Sequence, residues 1–213
     1  MSRHRRRTTA TLAVAALAVT LPLAGAAQAM ENRIDGTGRD DVLRGTSAAD
    51  DMRGFRGDDR MWGYGAKDVI VGGPGNDRLY GGSGDDGLYG TWGADRLAGG
   101  DGNDELEGGA ARDVMEGGAG RDRLIGGDGP DLLAGGGGPD TIHGGAGGDV
   151  VESEPGRDTI YLGEGDDSYV DWRVDGLPDV IWCGPGNDFV GYWGKPDPAD
   201  VRHGCERVVN IAH

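Results

Sequence analysis

From Leu43 to Tyr169 an apolar side chain stands at every ninth position. The series runs Leu43, Met52, Met61, Ile70, Leu79, Leu88, Leu97, Leu106, Met115, Leu124, Leu133, Ile142, Val151, Ile160, Tyr169. Two residues before each is an aspartate: Asp41, Asp50, Asp59, Asp68, Asp77, Asp86, Asp95, Asp104, Asp113, Asp122, Asp131, Asp140, Asp149, Asp158 and Asp167. A fixed period held over fifteen copies marks a chain built from stacked units. The unit is plainest at Gly72-Gly73-Pro74-Gly75-Asn76-Asp77-Arg78-Leu79-Tyr80, whose residues define positions one to nine. Glycines at positions one, two and four allow positive φ and close backbone approach, so the first six residues predict a tight turn. Positions seven to nine predict a very short strand. Alternation along it turns position eight inward and positions seven and nine outward.

A single unit cannot bury its one apolar residue, but a stack can, at roughly 4.8 Å per rung. The resulting core is narrow. Glycine accounts for 45 of 213 residues and aromatics for 6%. Ordering each residue costs about 1–2 kcal/mol, so burial alone predicts too little stability.

Charge suggests what else contributes. The formal net charge is −16. Residues 1–29 hold Arg3, Arg5, Arg6 and Arg7 and no acid, so without them the charge is −20. A stack lines the position-six aspartates up in columns, where like charges repel unless a cation lies between them. Carboxylates and turn carbonyls form an all-oxygen donor set. That set suits Ca²⁺ better than Mg²⁺, and there is no His or Cys cluster for zinc or copper.

The unit resembles the hemolysin-type calcium-binding repeat, the RTX nonapeptide Gly-Gly-x-Gly-x-Asp-x-apolar-x. The likeness covers about residues 36–170, with a late copy at Gly184-Pro185-Gly186-Asn187-Asp188-Phe189-Val190. It implies an all-β parallel β-roll, a β-solenoid with two nonapeptides per turn and calcium between the loops of neighbouring turns. It also implies ligands. Asp77, Asp86, Asp95, Asp104, Asp113, Asp122, Asp131, Asp140, Asp149, Asp158 and Asp167 would bridge ions above and below. Carbonyls of the loop glycines Gly73, Gly75, Gly82, Gly84, Gly100, Gly102, Gly118, Gly120, Gly127, Gly129, Gly136, Gly138, Gly145 and Gly147 would complete the shells. Asp41, Asp50, Asp59, Asp68 and Asp188 are weaker candidates. In the first four copies Thr37, Thr46, Phe55 and Tyr64 hold position two, and Arg39, Ala48 and Ala66 replace the position-four glycine in three of them. Fifteen loops give at most about a dozen sites over roughly seven turns.

Residues 1–29 read as a secretory signal peptide. Its arginines precede an apolar stretch from Leu12 to Leu23 and the small-x-small site Ala27-Gln28-Ala29. No second apolar run of membrane length appears. Residues 30–170 are therefore the calcium-binding roll, and 171–213 a C-terminal cap in which Tyr161, Tyr169, Trp172, Trp182, Phe189, Tyr192 and Trp193 gather on or beside it. A capping role is set against an aromatic face for a sugar or partner. Cys183 and Cys205 are the only cysteines. In an exported protein the pair predicts a disulfide, with two buried thiols as the alternative.

Enzyme signatures are absent. Gly82-Ser83-Gly84-Asp85-Asp86-Gly87 matches a dinucleotide loop only through glycine content, and no G-x-S-x-G elbow occurs. About 43 residues follow Val170, too few for a catalytic domain. Strong acidity argues against nucleic acid. The paired acids at position five read as surface charge. The expectation is a secreted, non-enzymatic calcium-binding protein. The rival reading is a surface or matrix adhesion module with a glycan or protein partner. Position nine (Tyr80, Tyr89, Ala98, Glu107, Glu116, Ile125, Ala134, His143) shows no consistent face to support it.

Overall fold

The computed structural model describes residues 32–172, 176–193 and 198–210. The leader-like segment 1–29 lies outside them. Among the described residues twenty strands follow in chain order. The first seven are β1 (Asn32–Asp35), β2 (Val42–Arg44), β3 (Asp50–Arg53), β4 (Arg60–Gly65), β5 (Val69–Pro74), β6 (Arg78–Ser83) and β7 (Gly87–Trp92). Next come β8 (Arg96–Asp101), β9 (Glu105–Ala110), β10 (Val114–Ala119), β11 (Arg123–Asp128), β12 (Leu132–Gly137) and β13 (Thr141–Ala146). The last are β14 (Val150–Ser153), β15 (Thr159–Glu164), β16 (Ser168–Asp171), β17 (Val180–Trp182), β18 (Phe189–Tyr192), β19 (Val201–His203) and β20 (Arg207–Asn210). Odd strands form one ten-stranded sheet and even strands the other, each in simple numerical order. Every pairing is parallel, as Leu79↔Leu97 on β6–β8 and Leu88↔Leu106 on β7–β9 show. Each partner lies eighteen residues away there, so two nonapeptides make one turn of a parallel β-roll. No helix occurs among the described residues.

Position eight fills the core, as its alternation requires. Met52, Ile70, Leu88, Leu106, Leu124, Ile142, Ile160 and Ile181 line the odd sheet, and Met61, Leu79, Leu97, Met115, Leu133, Val151, Tyr169 and Val190 the even sheet, all buried. The strands are longer than expected. Most central ones run six residues, from position seven through position three of the next copy, leaving three residues of turn. The reason lies at position one. Its glycine takes the second inward place on the central strands, with Leu162 and Tyr192 there on β15 and β18, and the backbone stays extended until the positive φ at position two, as at Gly73 (111°).

The roll has ten turns rather than seven. Strand β1 precedes the first full copy, and β17–β20 continue the same sheets through the region expected to close the stack. The twelve residues from Asp167 to Asp179 are absorbed as a three-residue insertion, since partners become twenty-one apart at Ser168↔Phe189 and Thr159↔Val180. At the far end Arg202 replaces the apolar residue of position eight. Its guanidinium donates to the Tyr192 hydroxyl (3.0 Å) and lies over that ring. Cys183, fully buried, is disulfide-bonded to Cys205 and ties the last rungs together.

Candidate metal centre: the aspartate columns

The position-six aspartates form two columns, one at each edge of the roll. In both, the carboxylate of one turn reaches back to the turn before. Asp77 Oδ1 accepts the Asp59 N–H (2.8 Å), Asp95 Oδ1 the Asp77 N–H (2.7 Å), and Asp113 Oδ1 the Asp95 N–H (2.8 Å). The other edge repeats this from Asp86 onto the Asp68 N–H through Asp122 onto the Asp104 N–H, each at 2.8 Å. The ladder outlasts the regular repeat. Asp158 donates its N–H to Asp179 Oδ1, and Asp179 its own to Asp200 Oδ1. Asp167 donates to Asp188, and Asp188 to Glu206 Oε2 (3.1 Å), which ends that column. Asp179 restores the strand pattern already in the sequence, whereas Asp200 and Glu206 fall outside the nine-residue frame because Asp200 follows Asp188 by twelve residues and Glu206 follows Asp200 by six.

One oxygen of each carboxylate is thus committed. The other, Oδ2, is buried without a hydrogen-bond partner in Asp59, Asp68, Asp77, Asp86, Asp95, Asp104, Asp113, Asp122, Asp131, Asp140, Asp149, Asp167 and Asp188. It occupies the space left by the missing side chain at position one: a methyl on Gly72 would overlap Asp77 Oδ2, and one on Gly99 would overlap Asp104 Oδ2. A buried anionic oxygen without a donor is costly, so it takes up a proton or meets a cation. Desolvation accordingly pushes these carboxyls up, to about 7 for Asp77, Asp104, Asp113 and Asp140. Asp68, Asp95, Asp131, Asp149 and Asp167 rise to about 6. In each case the backbone N–H on Oδ1 works against the rise. Neighbouring carboxylates add to it in most.

The first rungs differ. Asp41 Oδ2 accepts the N–H (2.6 Å) and hydroxyl (2.8 Å) of Thr37, and Asp50 Oδ2 the same groups of Thr46 (2.6 and 3.2 Å). Threonine at position two therefore completes those carboxylates internally. Asp59, Asp68 and Asp188, also expected to be weak, keep the open Oδ2 of the central copies. In the loops of Asp59 and Asp68 the non-glycine residues adopt the strained backbone instead: Phe55, Tyr64 and Ala66 have φ of 78°, 79° and 67°.

The loops offer further oxygens. Position-four N–H groups donate to position-three carbonyls one turn on, as Gly75 to Trp92 O (2.9 Å) and Gly102 to Ala119 O (2.8 Å). Among the described residues no backbone N–H is bonded to the position-four carbonyls of Gly57, Gly75, Gly84 or Gly102. The carbonyls of positions two and four point along the stack: a methyl on Gly73 would overlap Phe55 O, and one on Gly75 would overlap Gly57 O. No three His, Cys, Asp or Glu side chains converge among the described residues. In the central copies each carboxylate keeps one open oxygen against the position-one glycine, and the loops add carbonyls along the stack, a hard, all-oxygen donor set that fits calcium and not zinc.

Position five carries a second ladder that the sequence reading treated as surface charge. Here the side chain reaches forward. Asp58 Oδ1 accepts the Asn76 N–H (2.9 Å) and Asp85 Oδ1 the Asn103 N–H (2.8 Å), each also bonded by the asparagine amide. Asp166 and Asn187 repeat the motif. These bonds hold the exposed Asp85 and Asp166 below the usual carboxylate range. The signal was present in the sequence as Asp and Asn eighteen residues apart, or twenty-one across the insertion.

Of the C-terminal aromatics, Tyr169 and Tyr192 are buried. Tyr161 and Trp182 stack in one outer column between His143 and His203, with centroids 4.6, 6.4 and 3.7 Å apart. Their ring faces cover one another, so the column consolidates rungs. No helix among the described residues is long and apolar enough to cross a membrane.

A family model described as the RTX calcium-binding nonapeptide repeat matches residues 35–66, 62–97, 89–124, 98–133, 125–160 and 147–170. No curated protein matches the chain. The nine-residue unit, the parallel roll and the buried carboxylate columns agree with that match, and the chain belongs to the RTX calcium-binding nonapeptide repeat family.

Proposed function

We propose that this is a secreted, non-enzymatic protein whose roll is completed by calcium after export. The observation that carries this reading is the file of buried Oδ2 atoms without donors. Calcium supplies positive charge to them, and each ion's binding energy becomes folding energy. Asp77 to Asp149 are the strongest ligands, with carbonyls of Gly73, Gly75, Gly82, Gly84, Gly100, Gly102 and their equivalents along the stack. Asp158 and Asp167 extend the set. The leader-like residues 1–29 and the disulfide support an extracellular setting, where calcium is plentiful and thiols oxidise. In the cytosol, without calcium, the acidic glycine-rich chain stays expanded. Residues 171–213 close the stack, with Arg202 ending the apolar column.

Calcium titration of the chain lacking residues 1–29 tests this, followed by circular dichroism and calorimetry. A cooperative gain of β signal, reversed by chelation, is expected. Unchanged spectra with and without calcium at neutral pH would sink the proposal.

A further inference from the structure

The two-nonapeptide turn sorts outward residues into columns that the nine-residue reading mixes. On the even sheet, position seven brings Arg60, Arg78 and Arg96 into direct register, Arg60↔Arg78 and Arg78↔Arg96. Rungs lie roughly 4.8 Å apart, and like charges directly opposite one another destabilise a sheet. None of them is in an ion pair: the ion pairs among the described residues are Arg33–Asp35, Arg53–Asp51 and Arg123–Glu105. The acidic residues next in sequence, Asp59, Asp77 and Asp95, are buried on the opposite side of the strand. Beside the column runs a second one at position nine. Arg44 lies over Trp62 (5.3 Å), and Trp62 stacks on Tyr80 (5.4 Å, 7° between planes). Next in register after Tyr80 is Ala98, so no ring covers the far face of Tyr80.

We infer that this strip, over β4, β6 and β8, docks an extended acidic polysaccharide. Its carboxylates pair with the arginine column, and one sugar face rests on Tyr80. Guanidinium groups meet carboxylates with two parallel hydrogen bonds, and aromatic faces suit the apolar face of a sugar. The strip is one arginine wide and straight along the stack, which fits a linear chain with regularly repeated acids. A chain of net charge −16 repels polyanions elsewhere, so the charge complementarity is local to this face. Nucleic acid, with its denser charge, is disfavoured by the same overall acidity.

The test uses the full chain at fixed saturating calcium and fluorescent oligogalacturonate, read by anisotropy. Binding is expected, with affinity falling at least tenfold in the triple variant Arg60→Gln/Arg78→Gln/Arg96→Gln and several-fold in Tyr80→Ala. The equal charge change Arg112→Gln/Arg121→Gln/Arg157→Gln leaves binding unchanged. That control separates the strip from calcium bridging between uronates and acidic loops. Circular dichroism of each variant reports whether the roll is intact, and Arg60→Lys/Arg78→Lys/Arg96→Lys retains most of the affinity. The inference is overturned by absence of binding, by equal losses in the two Gln triples, or by equal affinity for neutral dextran. It also fails if polyphosphate or phosphatidylglycerol vesicles bind as tightly as oligogalacturonate, or if the strip is masked by a second copy in sedimentation.

Discussion

The first rungs and the central rungs carry the same aspartate in the same place and satisfy it differently. At Asp41 and Asp50 a threonine at position two closes the carboxylate with its own N–H and hydroxyl. From Asp59 onward most Oδ2 atoms are left buried and open. The contrast teaches that the backbone at position two, and not the residue type alone, decides whether a carboxylate is closed: Thr37 and Thr46 avoid positive φ, whereas Thr91 takes φ of 87° and leaves Asp95 Oδ2 buried and open. At Thr37 and Thr46 the hydroxyl adds a second donor to the backbone N–H, while the Thr91 hydroxyl is buried without a partner. A glycine there supplies none from a side chain and allows the positive φ of a loop whose carbonyls face along the stack.

Removing calcium has the largest expected effect. Chelation at neutral pH should abolish most of the central β signal, and hydrogen exchange should show the Asp77–Asp149 rungs opening first. Equal opening of the Thr37 and Thr46 rungs would break the contrast. Protons substitute for calcium. Burial raises the folded-state pKa of Asp77, Asp104, Asp113 and Asp140 from 3.8 to about 7, so the folded chain holds more protons than the unfolded one in that interval. Stability of the metal-free roll is therefore greatest below the ordinary carboxylate pKa and is lost as pH rises through about 6 to 7. Thermal melts of the chelated chain at pH 4.5 and 7.5 should show the higher midpoint at the lower pH.

Reduction of Cys183–Cys205, which closes a 22-residue separation, should cost about 3 kcal/mol. The effect should be confined to the last rungs, with central calcium uptake unchanged by calorimetry. Gly99→Ala places a methyl on Asp104 Oδ2 and should cost about 1–3 kcal/mol, as overpacking does, together with a local loss of calcium. Gly137→Ala meets nothing within 4 Å and should be neutral or stabilise by about 0.4–1 kcal/mol. Thr46→Val removes the hydroxyl that donates to Asp50 Oδ2 and accepts the Ala48 N–H, bonds worth about 1 kcal/mol each. The sharper reading is whether that variant gains calcium dependence at the first rungs.

Much of the fold was legible because each unit repeats its own instructions. The apolar residue at position eight, the glycines and the aspartate gave the strand, the turn and the inward column without any long-range information. The less legible parts have specific causes. Strands reach position three because the position-one glycine packs inward against a carboxylate, a contact between residues five apart, as at Gly72 and Asp77. Of the extra rungs, β18 coincides with the late copy at Gly184–Val190, while β19 and β20 were hidden by a second insertion that the parallel ladder tolerates, since only the strands need to stay in register. The position-five ladder looked like loose charge because its bonding partner lies a full turn away.

The sequence by itself determined the repeating unit, the burial of its apolar residue and the excess of acid that calls for a cation, because these follow from chemistry within nine residues. Only the tertiary structure decided which oxygen of each aspartate is already bonded, which carboxylates threonine completes, and that Arg60, Arg78 and Arg96 stand in one file. Those depend on the eighteen-residue turn, which sends alternate units to opposite sheets and sets every side chain against a neighbour one rung away.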